Sequence, residues 1–528
     1  MFLYFVGALT RNPSMHTKIF SATTIGVQAY SVEVEVDLSF GLLNFHIVGL
    51  PDVAIKESRQ RITTALKNAG IRLPERKITV NLAPADLKKE GTLFDLPIAI
   101  GILQAAQQLQ LTSEFLQETL FIGELSLDGA IRTIKGTLSI AYDAQRLGKK
   151  RIVVPHANAQ EAALIKELDV IGVAHLTELV NILRNEQPAK PITPITFNNS
   201  PAVDKNLDFA HVKGQMSAKR ALQIAAAGQH NILFIGPPGS GKTMLAQRLA
   251  SIMPPMSFAQ ILETSKIYSV SGKLADQSLI TQRPFRNPHH TISAVGLVGG
   301  GSFPQPGEMS LAHHGILFLD ELTEFKRSSL EVLRQPLEDR VVNISRAQYS
   351  VQFPASCLLV AALNPCPCGF LGDPRKTCHC SAQQINRYLE KLSGPLLDRI
   401  DLQINVQPLD YQTVTSAHNT QQSSQELYAR VEPAVNKQAA RFQQAQMFNG
   451  TMPASAIDEH CALTDSAQET VKRAFEKLHL SMRGYHKLLR VARTIADLEN
   501  TDIIDAHHIR EAIMYRSLDH YMEQIKQK

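Results

Sequence analysis

Eight consecutive residues, Gly236-Pro237-Pro238-Gly239-Ser240-Gly241-Lys242-Thr243, fit the spacing G-x-x-x-x-G-K-[ST]. Glycines at those places let a loop curl so that successive backbone N–H groups face phosphate oxygens, at the positive end of the helix that follows. Lys242 would reach the β- and γ-phosphates of ATP, and the Thr243 hydroxyl would hold Mg²⁺. The context agrees, with an apolar strand-like run at Ile232 to Ile235 before the loop and helical spacing from Met244 to Ile252 after it. A second apolar run, Ile316 to Leu319, ends in Asp320-Glu321. A carboxylate at the carboxyl end of a parallel strand lies where a nucleotide site opens. Asp320 would complete the Mg²⁺ shell through water, and Glu321 would polarise the attacking water, which is the arrangement of a hydrolase. A surface acidic pair capping the next helix is the plainer alternative. A third run, Leu358 to Leu363, leads directly into Asn364, whose amide could orient the same water or touch the γ-phosphate. Leu396-Leu397-Asp398-Arg399-Ile400-Asp401 then sets an arginine before a further strand. A local salt bridge from Arg399 to Asp398 or Asp401 is the alternative to a catalytic role.

Two C-x-C pairs, Cys366-Pro367-Cys368 and Cys378-His379-Cys380, flank a Gly372-Asp373-Pro374 turn. Four thiolates brought together there would bind structural Zn²⁺ and stiffen an insertion that has no core of its own. Free reduced thiols are the alternative. Cys357 and Cys461 stand alone and read as core residues. His289-His290 offers two imidazoles that could ligate a metal or serve structurally beside the nucleotide core.

These groups need a scaffold of buried parallel strands, and the chain is long enough for several. Its 528 residues suggest three or four compact units at about 150 residues each. Hydrophobic content of 44% and charged content of 20% exclude chain-wide disorder and a collagen-like fibre. Lys+Arg 54 against Asp+Glu 49 leaves a net charge of +5, which permits nucleic acid as a partner without demanding it. Six cysteines, four of them crowded, are not a disulfide framework, and the compartment reads as cytoplasmic. The apolar stretch Phe2 to Leu9 is about ten residues short of a membrane span. It also lacks a preceding basic segment, so no membrane partner is expected. Residues 1–14 read as an upstream start or loose extension before Met15. Residues 15–185 alternate strand-like and helical runs, with Val32, Val34, Val36 and Leu38 at period two. Residues 186–208 carry Pro188, Pro191, Pro194 and Pro201 and read as a linker. Residues 209–412 form the nucleotide core, and helical patterns dominate 413–528.

Taken together, residues 209–515 resemble an AAA+ ATPase of the helix-2-insert group, which includes the magnesium chelatase I subunit and the MCM helicases. The resemblance implies Asn364 as sensor 1 and Arg399 as a finger acting on the neighbouring subunit's nucleotide. It also places Arg483, in Ser481-Met482-Arg483-Gly484, where the lid's sensor 2 arginine is expected, with Arg490 and Arg493 as competitors and a solvated lid arginine as the alternative. A finger in trans requires assembly, most simply a ring, and the family expectation is a homohexamer. Ala294 to Gly307 resembles the helix-2 insert facing a central pore. Arg340 to Val351 resembles the hairpin before sensor 1, with Arg346 near its tip. Cationic and backbone donors there would track nucleic acid without reading its sequence. An ordinary surface hairpin is the alternative.

Lys89-Glu90-Gly91 and Gly123-Glu124-Leu125-Ser126-Leu127-Asp128-Gly129 resemble the proteolytic domain of Lon, implying an S5-like α/β fold for the N-terminal domain. The serine position of that family falls on Leu93 and the lysine position on Leu138. Leucine can neither attack a carbonyl nor accept a proton. Thr92 and Lys135 lie near but off the matching positions, so a Lon-like domain without peptidase activity is expected. The whole order from about Met15 resembles the ComM/YifB proteins, a group of Mg-chelatase-like ATPases. That resemblance implies an ATP-driven translocase and branch-migration helicase, acting on single-stranded and branched DNA during natural transformation. The rival is a chelatase-like or protein-remodelling ATPase working on a protein partner.

Overall fold

The computed structural model describes residues 15–42, 44–87, 89, 91–192, 205–274, 279–346, 349–409, 422–444 and 447–516. The extension 1–14, Glu90, most of the proline-spaced stretch and the start of the 413–528 region fall outside the described residues. The chain forms two compact units. One is residues 1–198 with Ser265–Leu279, the other Asn199–Thr264 with residues 280–528.

The first unit is built on a mixed seven-stranded sheet. Its strands are β1 (His16–Ile25), β2 (Gln28–Ser39), β3 (Asn44–Val48), β4 (Lys77–Ala83), β5 (Thr119–Phe121), β6 (Arg151–Pro155) and β7 (Asp169–Val173). They lie in the order β3-β4-β2-β1-β5-β6-β7. The period-two pattern of β2 is realised: Val32, Val34, Val36 and Leu38 are all buried, with polar residues between them. Helices covering the sheet include α1 (Val53–Asn68), α2 (Asp95–Ala105) and α3 (Thr137–Ala144). Helix α2 is apolar on nearly every side because it lies inside the unit, and Gly101 permits its close approach to β2. A Cβ at that glycine would stand 2.6 Å from Val36 Cγ2.

Ser265–Leu279 joins this unit although it lies beyond the P-loop in sequence. The sequence pattern alone counts it within the continuous 209–412 core. Its hydrogen bonds explain the difference: the Ser269 hydroxyl donates to the buried carboxylate of Glu161, and the Gly136 N–H donates to Ser269 O at 3.1 Å.

The second unit begins with α4 (Met216–Gly228) and continues through β8 (Ile232–Ile235), α5 (Lys242–Arg248), α6 (Phe258–Ser271, its second half in the first unit), β9 (Phe285–Arg286) and α7 (Ala294–Val298). Then come β10 (Ile316–Leu319), α8 (Arg334–Asp339), the hairpin β11 (Val341–Arg346) and β12 (Tyr349–Pro354), and β13 (Leu358–Leu363). Helix α9 (Ala382–Leu389) and β14 (Leu402–Asn405) precede the terminal helices α10 (Ser424–Phe442), α11 (Asp465–Lys477), α12 (Met482–Leu498) and α13 (Ala506–Met514). The sheet order is β9-β10-β13-β8-β14, with every pair parallel. Strands β8, β10 and β13 are buried at every position, as expected of strands covered on both faces. No described helix is long and apolar enough to cross a membrane.

Candidate active site

Strand order assembles the site. Because β13 pairs with β8 on one side and β10 on the other, three parallel strands end side by side. Their carboxyl ends carry the P-loop, Asn364 and the Asp320-Glu321 pair, so residues far apart in sequence meet at one edge. Gly239 and Gly241 adopt φ of 74° and 94°, which curls the loop onto the start of α5. Gly236 is held to glycine by space, since a Cβ there would stand 2.3 Å from Val406 O.

The side chains meet as follows. Thr243 Oγ1 donates to Asp320 Oδ2 at 2.7 Å, putting the two expected Mg²⁺ groups together. Lys242 Nζ donates to Gly236 O at 2.6 Å, Pro237 O at 3.0 Å and Asn364 Oδ1 at 3.2 Å. Burial lowers the Lys242 pKa, opposed by the Asp320 and Glu321 carboxylates. The Glu321 N–H donates to Asp320 Oδ1 at 3.0 Å, and φ of 51° at Glu321 turns its side chain outward to solvent. His290 Nδ1 lies 3.7 Å from Glu321 Oε2. Here a cation for phosphate, a hydroxyl and carboxylate suited to Mg²⁺, an exposed carboxylate and an amide surround one opening. That set can bind a nucleoside triphosphate and direct water at it.

The two arginines lie elsewhere. Arg399 Nη2 pairs with Glu338 Oε2 at 2.8 Å, while Nε donates to Arg334 O at 2.6 Å and Nη1 to Pro395 O at 2.5 Å. Neither Asp398 nor Asp401 is its partner. Asp401 instead faces Lys487 of α12 and His230, each at 3.5 Å. Arg483 Nη2 reaches the other oxygen of Glu338, Oε1, at 3.0 Å. The competitor Arg493 is buried, and its guanidinium donates to the Thr501 and Asp502 carbonyls.

Of the expected pore elements, Ala294–Val298 is a short helix, followed by Gly299 and Gly300 paired antiparallel with Pro306 and Gln305. A Cβ at Gly299 would come 3.3 Å from Ile344 Cδ1, so this turn packs on the β11–β12 hairpin. Arg346 ends β11 and is exposed. The cysteines come together: Cys366 Sγ lies 3.3 Å from Cys368 Sγ and 3.6 Å from Cys378 Sγ, and Cys368 and Cys378 are 3.6 Å apart. Cys380 completes a group within 4.8 Å, with no disulfide among them. Thiolates at 2.3 Å around one Zn²⁺ would stand about 3.8 Å apart, so the donor set fits that ion.

A family model described as magnesium chelatase, subunit ChlI, matches residues 208–414. A second ChlI model matches 34–158, and the ChlI C-terminal model matches 421–516. The chain is 42% identical over 510 residues to Competence protein ComM of Haemophilus influenzae, covering 96% of this chain and 98% of that protein. It is 40% identical over 503 residues to the uncharacterized protein YifB of Salmonella typhimurium, covering 95% and 97%. The chain belongs to the ComM/YifB family of Mg-chelatase-like AAA+ proteins. A shorter similarity, 31% over 150 residues and 27% of each chain, links it to Lon protease 2 of Bacillus subtilis.

In this ComM/YifB chain Leu93 and Leu138 pack into the hydrophobic interior of the first unit. The Thr92 hydroxyl donates to Glu124, and the Lys135 stem lies against Gly272. Thr92 therefore presents its hydroxyl to a carboxylate. Sequence reasoning passes over Glu338 and Tyr388 and leaves His290 undecided. His290 precedes β10 by many residues, and only the folding of 283–314 beside that strand brings it to Glu321. Glu338 lies in a run, Leu337-Glu338-Asp339, that reads as an ordinary helix end.

Proposed function

We propose that this chain is a ring-forming ATPase, an ATP-driven DNA translocase and branch-migration helicase in recombination during natural transformation. The observation that carries the ATPase reading is the pairing of Lys242 with Asn364 and of Thr243 with Asp320, both by hydrogen bonds, at three adjacent strand ends. The phosphates of ATP would displace the loop carbonyls as acceptors of the Lys242 ammonium and pair with its positive charge. Thr243 and Asp320 would hold Mg²⁺, which when bound neutralises phosphate charge. Glu321, turned to solvent, would take a proton from the attacking water, with Asn364 fixing its position and His290 steadying the carboxylate. Arg399 has no partner among these groups, which supports its action on a neighbouring subunit's nucleotide in a homohexamer, and Arg483 would serve as the lid's sensor 2. The first unit would serve assembly or substrate binding and not peptide cleavage, since leucine fills both positions of the Lon dyad.

The DNA reading rests on the kinship with a competence protein and on the exposed Arg346 beside a glycine-rich turn. The experiment is steady-state ATP hydrolysis with and without single-stranded and forked DNA, with Glu321→Gln as the blank. Stimulation that falls with salt is expected. Hydrolysis indifferent to DNA would favour the rival, a chelatase-like or remodelling ATPase with a protein partner, which the magnesium chelatase domains also support.

A further inference from the structure

Three features converge between the cysteine group and the strand ends. Chain direction is the first: β13 delivers Asn364, and two residues later Cys366 is fully buried. The second is packing against the phosphate loop. Gly369 has φ of 83°, and a Cβ there would stand 2.7 Å from Pro238 Cδ and 3.9 Å from Asn364 Cγ. Only glycine fits so close an approach in that conformation.

Tyr388 is the third. It lies on α9, whose buried Ile385 and Leu389 form a small core with Cys366, flanked by Cys368, Cys378 and Cys380. The Thr323 hydroxyl donates to Tyr388 Oη at 2.6 Å, and Thr323 is buried two residues beyond Glu321. The Tyr388 ring also packs against the small core around Cys366. One side chain thus touches the chain just after Glu321 and the core that begins two residues after Asn364. The helix that carries it rests on a core of a few side chains, too few to hold a helix unless the thiolates are clamped by a metal.

We propose that the four-cysteine centre is a positioning element for ATP hydrolysis, with Tyr388 transmitting its order to the Asn364 and Glu321 strand ends. This rests on the ATPase reading above. Metal held by Cys366, Cys368, Cys378 and Cys380 fixes α9, and α9 fixes the two groups that direct water. Nucleotide affinity draws mainly on the loop's own backbone N–H groups and Lys242, which the centre meets only at the edge, through Gly369 against Pro238, so the centre bears more on turnover than on binding. Metal occupancy therefore governs kcat and leaves the dissociation constant for ATP nearly unchanged.

The test begins with the full chain purified under reducing conditions, its zinc per chain measured by elemental analysis and its hydrolysis measured against Glu321→Gln. Absence of hydrolysis in the zinc-loaded parent would count against the ATPase reading itself. Given hydrolysis, Tyr388→Phe and Thr323→Val are each expected to lower kcat about five- to tenfold. Zinc content should be unchanged and the affinity for a fluorescent ATP analogue should stay within about twofold. Thr323→Ser, which keeps the hydroxyl, should restore the rate. Stripping zinc with a chelator should lower kcat at least as far and speed hydrogen exchange across 358–371, and adding zinc back should reverse both. Three results would each overturn the proposal: purified protein holding no metal, zinc-stripped protein turning over at the parent rate, or Tyr388→Phe with unchanged kcat.

Discussion

Arg399 and Arg483 reach the two oxygens of a single carboxylate, that of Glu338, at 2.8 and 3.0 Å. One arginine precedes β14 and the other opens α12, so the shared partner gathers both cations on one side of the second unit. Arg399 is the more deeply held, with its side chain 10% exposed against 60% for Arg483. Neither has a hydrogen bond or ion pair with Lys242, Thr243, Asp320 or Asn364.

If Arg399 works in trans, Arg399→Ala should lower kcat by ~10³ while ATP binding persists. Mixing it with Lys242→Ala, inactive through its own loop, should recover part of the activity. In the mixed assembly an intact loop can meet an intact finger from the neighbour. Steady-state rates against mixing ratio check this, and a flat profile would place the finger in cis or exclude it.

Glu321→Gln should bind ATP with parental affinity yet hydrolyse it about 10²- to 10⁴-fold more slowly, because only the proton acceptor is lost. His290→Ala should lower kcat less, since it supports the carboxylate from 3.7 Å. Single-turnover rates with equilibrium binding separate the two effects. A larger loss in His290→Ala than in Glu321→Gln would make His290 the acting base.

Arg346→Ala should leave hydrolysis without DNA at the parental rate and weaken stimulation by DNA of any sequence. The slope of log affinity against log salt should become shallower by about one for each phosphate that Arg346 neutralises in the parent. Binding measured at several salt concentrations provides the slope, and an unchanged slope would return Arg346 to the role of a solvated hairpin residue.

Asp401 predicts an acid-sensitive attachment of α12. Burial disfavours its charge, but Lys487 and His230 outweigh that, and its pKa is lowered from 3.8 to about 2. A depressed carboxylate contributes stability that is present above its unfolded pKa, near 4, and is lost as pH falls through about 2. Asp401→Asn should therefore destabilise by about 2 kcal/mol at pH 7, with the gap to the parent closing between about pH 4 and pH 2. Urea unfolding at several pH values reads this directly. A gap independent of pH would mean that the loss is one of packing.

Much of the nucleotide site is legible in the sequence because its chemistry is local: a glycine loop, a hydrophobic strand ending in two acids, a strand ending in an amide. Each signal fits within about eight residues, and parallel pairing then brings them together. The cysteine group is legible for the same reason. Arg399 and Arg483 can be found as residues but not as partners, because Glu338 has no local mark and joins them only through tertiary packing. Tyr388 escapes for a related reason. A single tyrosine on an amphipathic helix reads as core, and only the fold reveals that its hydroxyl meets Thr323. The association of 265–279 with the first unit has no mark in the sequence, because a continuous helix pattern, Phe258–Ser271, gives no sign that its second half packs with another part of the chain.

That last feature bears on inheritance. A unit made from one unbroken stretch can be shuffled between genes by a single exchange at each end. The first unit is made from two stretches, and the buried Glu161 receives a hydroxyl from the second of them, Ser269. A fragment ending at Asn198 would keep its sheet but lose that donor. Fusion or excision at the proline-spaced stretch alone therefore separates residues that fold together.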